Sequence, residues 1–281
     1  MKEPLQQHPA QTDGRLRTAQ LKMLVMLKTV DAICKKHQLD YWLEGGTLLG
    51  AVRHQGFIPW DDDLDISMPR ASFNKFIQVA ADEFPDNLLL QTPQTDPGYF
   101  NLSVPLKIRD KNSLFIELHE QGSEPYHHGI FLDVFVYDAI PSDLKKRKRD
   151  KFRAKKLQRL LSHKYCPVAM GHHATLYKLL SKFVPQAFLE RQINKIIDDA
   201  NKQGHVFLGY GYDCVNSNCV AYEDIYPLKK IQFEDSEFNI ANRSEVILTQ
   251  LYGDYMTMPP EHQRIMCHCR ELIPELDKAG Q

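Results

Sequence analysis

The sequence predicts an α+β (mixed α/β) domain, and three observations carry that expectation. Short strand-like runs crowd the first 141 residues. Long helical patterns fill residues 142–203. One run, Gly129 to Tyr137 (GIFLDVFVY), is apolar on both faces apart from Asp133. Such a strand belongs in the middle of a sheet covered on each side. Strands grouped ahead of helices argue for α+β or mixed α/β.

The elements follow in order. Residues 1–14 are polar and expected to be loose. Residues 15–37 read as an amphipathic helix, with Met23, Met26, Leu27, Val30, Ile33 and Cys34 at helical spacing. Tyr41 to Leu43 reads as a short strand ending at Gly45-Gly46, and Thr47 to His54 as a short helix broken by Gly56 and Pro59. Leu64 to Met68 alternates with period two and reads as a strand. Arg70 to Phe84 returns to helix, with Phe73, Phe76, Ile77, Ala80, Ala81 and Phe84 on one face. Residues 88–91, 104–108 and 114–118 are strand candidates. After Pro141 the pattern is helical to 203, interrupted at Pro167 and Pro185. Residues 204–240 read as irregular or β, and 243–252 as helix. The division expected is a core over 15–141 with a helical and irregular portion, 142–281, packed on it.

At 281 residues the chain can bury a substantial core. With 43% hydrophobic and 25% charged residues it falls in the soluble globular class. The net charge of −1 gives no sign of a nucleic-acid partner. No run approaches 18 apolar residues, so no membrane span is expected. The polar N-terminus has no apolar core of a secretory signal, which makes the cytosol the expected compartment. Cys34, Cys166, Cys214, Cys219, Cys267 and Cys269 then read as reduced thiols. Cys267-His268-Cys269 with Cys214 and Cys219 is not a standard zinc ligand set, and zinc on Cys267 and Cys269 is left open.

The chemistry concentrates in Leu43 to Pro69, LEGGTLLGAVRHQGFIPWDDDLDISMP. Side chains two apart on a strand share a face, so Asp61, Asp63, Asp65 and Ser67 point one way if the strand starts early enough. Leu64, Ile66 and Met68 point into the core. Neighbouring carboxylates repel, and a divalent cation between them removes the repulsion. Oxygen ligands select Mg2+ or Mn2+ over zinc. Asp133 sits alone in an apolar strand, where an unpaired carboxylate is costly. If that strand neighbours Leu64–Met68, a third acid reaches the same centre, the arrangement that supports two-metal phosphoryl transfer. Gly45-Gly46-Thr47 opens a helix whose free amides suit a phosphate. Each piece alone has an ordinary explanation: a turn, a solvated acid loop, a capping aspartate. The joint order is what points to a site.

That order resembles the nucleotidyltransferase superfold signature, through Leu43-Glu44-Gly45-Gly46-Thr47, Asp63-Leu64-Asp65-Ile66 and Leu132-Asp133-Val134, with Glu44 as the departure. The string EGGTLLGAVRHQGFIPWDDDLDISMPR looks like the LicD phosphocholine transferases, whose pattern the fukutin and fukutin-related ribitol-phosphate transferases share. LYGDYMTMPP, Leu251–Pro260, resembles the close of that family's domain, and the likeness spans about residues 20 to 268. The resemblance implies a mixed sheet flanked by helices. It implies transfer of phosphocholine from CDP-choline to a hydroxyl of a cell-surface glycan, of lipopolysaccharide or teichoic-acid type, with release of CMP. Asp63 and Asp65 match its metal pair, Asp61 a nearby acid, and Asp133 the third acid, a ligand or the base for the acceptor. Gly45, Gly46 and Thr47 match the phosphate turn, with phosphate contacts assigned to Arg53, His54, Arg70 and Lys107. Choline is a permanent cation that an aromatic wall attracts; Trp60, Trp42 and Tyr126 are the leading candidates, after which come Tyr41, Tyr99 and Phe131. The rivals are the same site moving ribitol phosphate or a nucleotidyl group, a glycosyltransferase reading Asp63-Leu64-Asp65 as its DxD, and a metal-binding module without catalysis. Lys145 to Lys156 carries nine bases and one acid, read as a solvated helix face or a contact with an anionic acceptor or membrane surface.

Overall fold

The computed structural model describes residues 13–165, 174–202, 204 and 206–276. The expectations for residues 1–12, Cys166 and Pro167 lie outside these. The mixed α/β architecture expected from the sequence is the one observed.

Helix α1 (Arg15–His37) buries Met23, Met26, Leu27, Val30, Ile33 and Cys34, the stripe that its spacing marks. Strand β1 (Trp42–Leu43) runs antiparallel to β2 (Asp65–Pro69), and helix α2 (Gly45–His54) lies between them in the chain. Helix α3 (Arg70–Glu83) follows β2 directly and buries Phe73, Phe76 and Ala80, while Ala81 is exposed. Then come β3 (Leu88–Gln91), β4 (Leu106–Asp110), β5 (Leu114–Glu117) and β6 (Phe131–Ile140). The main sheet has the order β1-β2-β6-β4-β3. β6 lies in its interior, parallel to β2 and antiparallel to β4.

The register of β2 on β6 decides where the acids go. Leu64, Ile66 and Met68 are each 0% exposed. Burying each contributes about 2 kcal/mol. A one-residue slip would turn all three outward. This holds Asp65 directly opposite Asp133.

Helices α4 (Leu144–Tyr165), α5 (Ala174–Phe183) and α6 (Gln186–Asn201) follow. Leu161, Leu189, Ile193, Ile196 and Ile197 belong to a second apolar cluster that includes Ile140 at the end of β6. The chain then returns to the sheet: β7 (Phe207–Tyr210) pairs with the far half of β6, and β8 (Val220–Ala221) pairs with β7. A short helix α7 (Tyr222–Ile225) precedes the hairpin β9 (Lys229–Phe233) and β10 (Ser236–Ile240). Helix α8 (Ser244–Tyr252) leads to β11 (Cys269–Ile273), which pairs with β5. The sequence reading contains no strand at β11. Its pattern, CRELI, buries only Cys269 and Leu272 fully, so alternation does not announce it. No described helix is long and apolar enough to cross a membrane.

Candidate active site

The carboxylates gather where β2 and β6 begin. Asp65 is the first residue of β2, and Asp61 to Leu64 before it carry no regular secondary structure, so the strand starts later than face-sharing by all four residues from Asp61 to Ser67 would need. The Asp133 amide donates to the Leu64 carbonyl at 2.8 Å, which extends the pairing one step back toward Asp63.

Helix α2 closes on the same place. Its first internal bond runs from the Leu48 amide to the Glu44 carbonyl, so the amides of Gly45, Gly46 and Thr47 precede the ladder. The Thr47 hydroxyl accepts from the Asp65 amide at 2.8 Å, and the Glu44 amide donates to the Asp65 carbonyl. These two bonds tie the helix start to the acid strand. Gly45 has φ +52°, and a Cβ there would stand 3.3 Å from Asp65 Oδ2. A Cβ on Gly46 would stand 2.9 Å from Asp61 Oδ2. The positive φ calls for glycine at Gly45, and a side chain at Gly46 would push the Asp61 carboxylate aside. Carboxylates there also meet the positive end of the helix dipole.

Electrostatically the cluster is overcharged. Burial, then Asp63 and Asp62, raise the pKa of Asp61. Burial, then Asp63 and Asp133, raise that of Asp65. Burial raises Asp63 too, against the opposing charge of His268. Burial lifts Asp133 to about 6, although Lys107 holds it down. Lys107 Nζ lies 2.8 Å from Asp133 Oδ1 and donates to Oδ2 at 3.1 Å. An all-oxygen set of crowded, buried carboxylates suits a hard divalent cation, which removes both the desolvation and the repulsion. Asp61, Asp63 and His268 also bring ligand atoms within 4.8 Å of one another.

The structure corrects two candidates. Arg70 stands at the far end of β2, five residues from Asp65, about 16 Å along the strand. Its guanidinium is taken by Asp138 and Asp213, with two hydrogen bonds to each at 2.7–2.9 Å. It is a structural ion pair and makes no phosphate contact at this centre. Trp42 is 1% exposed, donates from Nε1 to Glu44 at 3.0 Å and packs edge-on against Tyr137. It is core and offers no face to choline; Tyr41 and Phe131 are equally buried.

The other candidates divide. Lys107 is buried behind Asp133, shared with Glu117. Arg53 Nη1 donates to the Tyr255 carbonyl and Nε to His54, and its pKa is lowered by burial and Arg264 against the pull of Asp61. His54 packs edge-on against Trp60, whose ring has the Arg264 guanidinium 5.7 Å from its centroid. Tyr126 packs edge-on against buried Tyr99 and beside His128.

Four residues have roles that sequence reading missed. Glu44, the departure from the signature, is a buried hub: Oε2 accepts from Trp42 and Ser67, and Oε1 from Tyr137 and Tyr210. It joins β1, β2, β6 and β7 directly beneath the glycine turn. Asp62 is 0% exposed and accepts from the amides of Cys267, His268 and Cys269. His268 Nδ1 lies 3.0 Å from Asp62 and 3.3 Å from Asp63. The Asp62 bond, with Cys267, pushes the imidazole up to about 12, making it the cation of the acid cluster. His268 therefore belongs with the aspartates. Cys269 is buried in β11 and Cys214 bonds the Gly211 carbonyl, while Cys267 brings its sulfur within 4.8 Å of ligand atoms of Asp62 and His268; among the described residues no group of ligand atoms at that spacing contains two cysteines. The fourth residue is Tyr252, at the end of α8. Its hydroxyl stands 3.8 Å from where a Cβ on Gly45 would be, and burial and Asp65 raise its pKa. The LYGDYMTMPP string was the available signal for it.

Opposed acids on parallel β2 and β6, with a glycine-started helix bonded to the acid strand, define the nucleotidyltransferase class of fold and site. Comparison with known proteins agrees: a family model for the LicD/FKTN/FKRP nucleotidyltransferase domain matches residues 38–166. The chain is 30% identical over 271 residues to the lipopolysaccharide cholinephosphotransferase LicD of Haemophilus influenzae, covering 91% of this chain and 97% of that one. It is 64% identical over 28 residues to human ribitol 5-phosphate transferase FKRP, 10% of this chain and 6% of that protein. A 103-residue match at 31% identity, 37% of this chain and 8% of the relative, is to mannosyltransferase regulator 4 of Saccharomyces cerevisiae. The chain belongs to the LicD family.

Proposed function

We propose that this chain is a divalent-metal-dependent transferase that moves phosphocholine from CDP-choline to a hydroxyl of a lipopolysaccharide-type glycan and releases CMP, working in the cytosol. The observation that carries this reading is the register of Asp65 on Asp133 with Asp61 and Asp63 beside them, in a chain related along nearly its whole length to a cholinephosphotransferase.

In this reading Asp63, Asp65 and Asp133 hold Mg2+ or Mn2+, with Asp61 joining them. The cation supplies charge neutralisation of the donor pyrophosphate and orientation of its phosphorus. The amides of Gly45, Gly46 and Thr47 bind phosphate oxygens, and charge developing on those oxygens is met by fixed dipoles. Arg53 and His54, on the last turn of α2, take the outer phosphate or the cytidine side. Asp133, lifted to about 6 by burial against the pull of Lys107, is suited either to the metal or to taking the acceptor proton. Tyr252, Trp60 and Tyr126 form the aromatic candidates for the trimethylammonium group.

The test is a donor screen on the purified protein with Mg2+ or with EDTA, reading CMP release and acceptor mass. CMP from CDP-choline, with phosphocholine added to the acceptor only when metal is present, is the expected result. No CMP from CDP-choline beside turnover of CDP-ribitol would replace this donor with the ribitol-phosphate alternative, which the local FKRP match favours. Undiminished turnover by Asp63→Asn would remove the acids from the mechanism.

A further inference from the structure

Helix α5 turns its apolar side to solvent. Leu176, Leu179, Leu180 and Phe183 recur at helical spacing and form one stripe. They are 53, 54, 44 and 78% exposed. Phe188, in the first turn of α6, is also exposed. The opposite side of α5 is the one that packs: Ser181 is buried, and the Arg159 guanidinium of α4 lies 5.9 Å from the Tyr177 ring centroid. An amphipathic helix on a water-soluble surface buries its apolar stripe, and α5 presents it. A contiguous exposed apolar stripe marks a contact surface.

The charge distribution says what kind of surface meets it. Between residues 144 and 202 the sequence has 16 Lys and Arg and four Asp and Glu, an excess of 12 on a chain whose total is −1. The rest of the chain therefore carries −13. Lys178 and Lys182 are exposed on α5 beside the stripe, and the exposed Arg191 lies over the Phe188 ring at 5.8 Å. An apolar stripe rimmed by cations is the form of a helix that lies in an anionic membrane interface. A second copy of the chain would bring the same positive excess against itself, and juxtaposed like charge opposes that pairing.

We propose that α5 and the first turn of α6 dock this protein on anionic lipid bilayers. Leu176, Leu179, Leu180, Phe183 and Phe188 enter the headgroup–acyl boundary, while Lys178 and Lys182 meet the lipid phosphates. The inference does not depend on the donor or acceptor of the transfer reaction. It narrows membrane contact from the basic run of α4 to a defined apolar face, and leaves α4 to add long-range attraction.

The test is flotation of the full chain with vesicles of phosphatidylcholine alone and of phosphatidylcholine with one-third phosphatidylglycerol. The wild type is expected to float only with the anionic vesicles and to be released by salt. The double variant Leu179→Asp, Phe183→Asp should lose at least tenfold in partitioning, and Phe183→Gln alone should lose severalfold. Lys178→Gln with Lys182→Gln should lose roughly thirtyfold at low salt, at about 1 kcal/mol per removed cation. All the changes are at exposed positions, and a thermal melt matching wild type checks that each variant folds. The proposal is overturned if wild type does not float with anionic vesicles at low salt. It is equally overturned if the Asp variant floats like wild type, which would assign binding to α4 alone. A dimer in light scattering that the Asp variant dissociates would assign the stripe to a second copy.

Discussion

Replacing Asp62 tests how the distant C-terminal segment is held against the acid cluster. Every hydrogen-bond partner of this fully buried carboxylate is a donor: the amides of Cys267, His268 and Cys269, and His268 Nδ1. In Asp62→Asn one oxygen becomes an NH2 group. If the remaining oxygen keeps the two amide bonds of His268 and Cys269, at 3.1 and 2.8 Å, the NH2 faces the imidazole. The His268 imidazolium then keeps only Asp63, 3.3 Å away, as its acid partner. Loss of the imidazole and Cys267 bonds to Oδ1 and of the ionic part of the other two costs on the order of 3 kcal/mol. For a chain of this size that is a fall in Tm of about 6–9 °C. Asp62→Ala takes the acceptor from the three amides and leaves His268 with Asp63 alone, and should cost more, about 4–5 kcal/mol. Urea denaturation gives the free energies, and hydrogen exchange at amides 267–269 gives the local effect. His268, watched by NMR, should titrate lower in Asp62→Asn than in wild type. A Tm within 1 °C of wild type, with exchange at 267–269 unchanged, would refute the assignment of Asp62 as the anchor of this segment.

Four further outcomes are expected. Asp65→Asn should stabilise the metal-free protein at pH 8, because it removes a buried carboxylate that faces Asp63 and Asp133; a lower Tm in EDTA than wild type would contradict this. Added Mg2+ at ten to a hundred times its Kd should stabilise wild type by about 1.4–2.7 kcal/mol in differential scanning fluorimetry, and should do nothing for Asp63→Asn with Asp65→Asn. Gly46→Ala should keep the fold and lose most turnover, since the new methyl stands 2.9 Å from Asp61 Oδ2 and beside the amides assigned to phosphate; full activity would rule out that assignment. Glu117 is pushed up by burial, but Lys107 and Arg109 outweigh it and bring the carboxyl down to about 2. Its folded value lies below its unfolded one, so its contribution, on the order of 3 kcal/mol, is present above about pH 4.5 and disappears as pH falls toward 2. Acid titration of Glu117→Gln should lack this portion of the loss.

The elements that could be read directly are those whose local pattern and tertiary burial agree. The α1 stripe from Met23 to Cys34, the alternation in β2 and the two-faced apolar run of β6 each state their own environment. The glycine turn and the acid pairs were equally legible, because phosphate amides and metal carboxylates need fixed residue types. Arg70 and Trp42 misled for a physical reason: an arginine next to an acid motif and an aromatic next to a glycine turn look the same whether they face the site or the core. Only the direction of the strand carries Arg70 to Asp138 and turns Trp42 onto Tyr137.

What the sequence determined by itself is therefore chemical: the fold class, the family likeness, and the identities of Asp61, Asp63, Asp65 and Asp133 as one potential centre. The tertiary structure decided the partnerships. Pairing of β2 with β6 sets Asp65 opposite Asp133 across 68 residues of chain, and β11 on β5 brings His268 back to Asp62 across 206. It also made Glu44 a four-donor hub and turned the α5 stripe outward. Periodicity reports which face of an element is apolar. Which charges meet, and whether an apolar face is covered, depends on contacts between segments that no local pattern encodes.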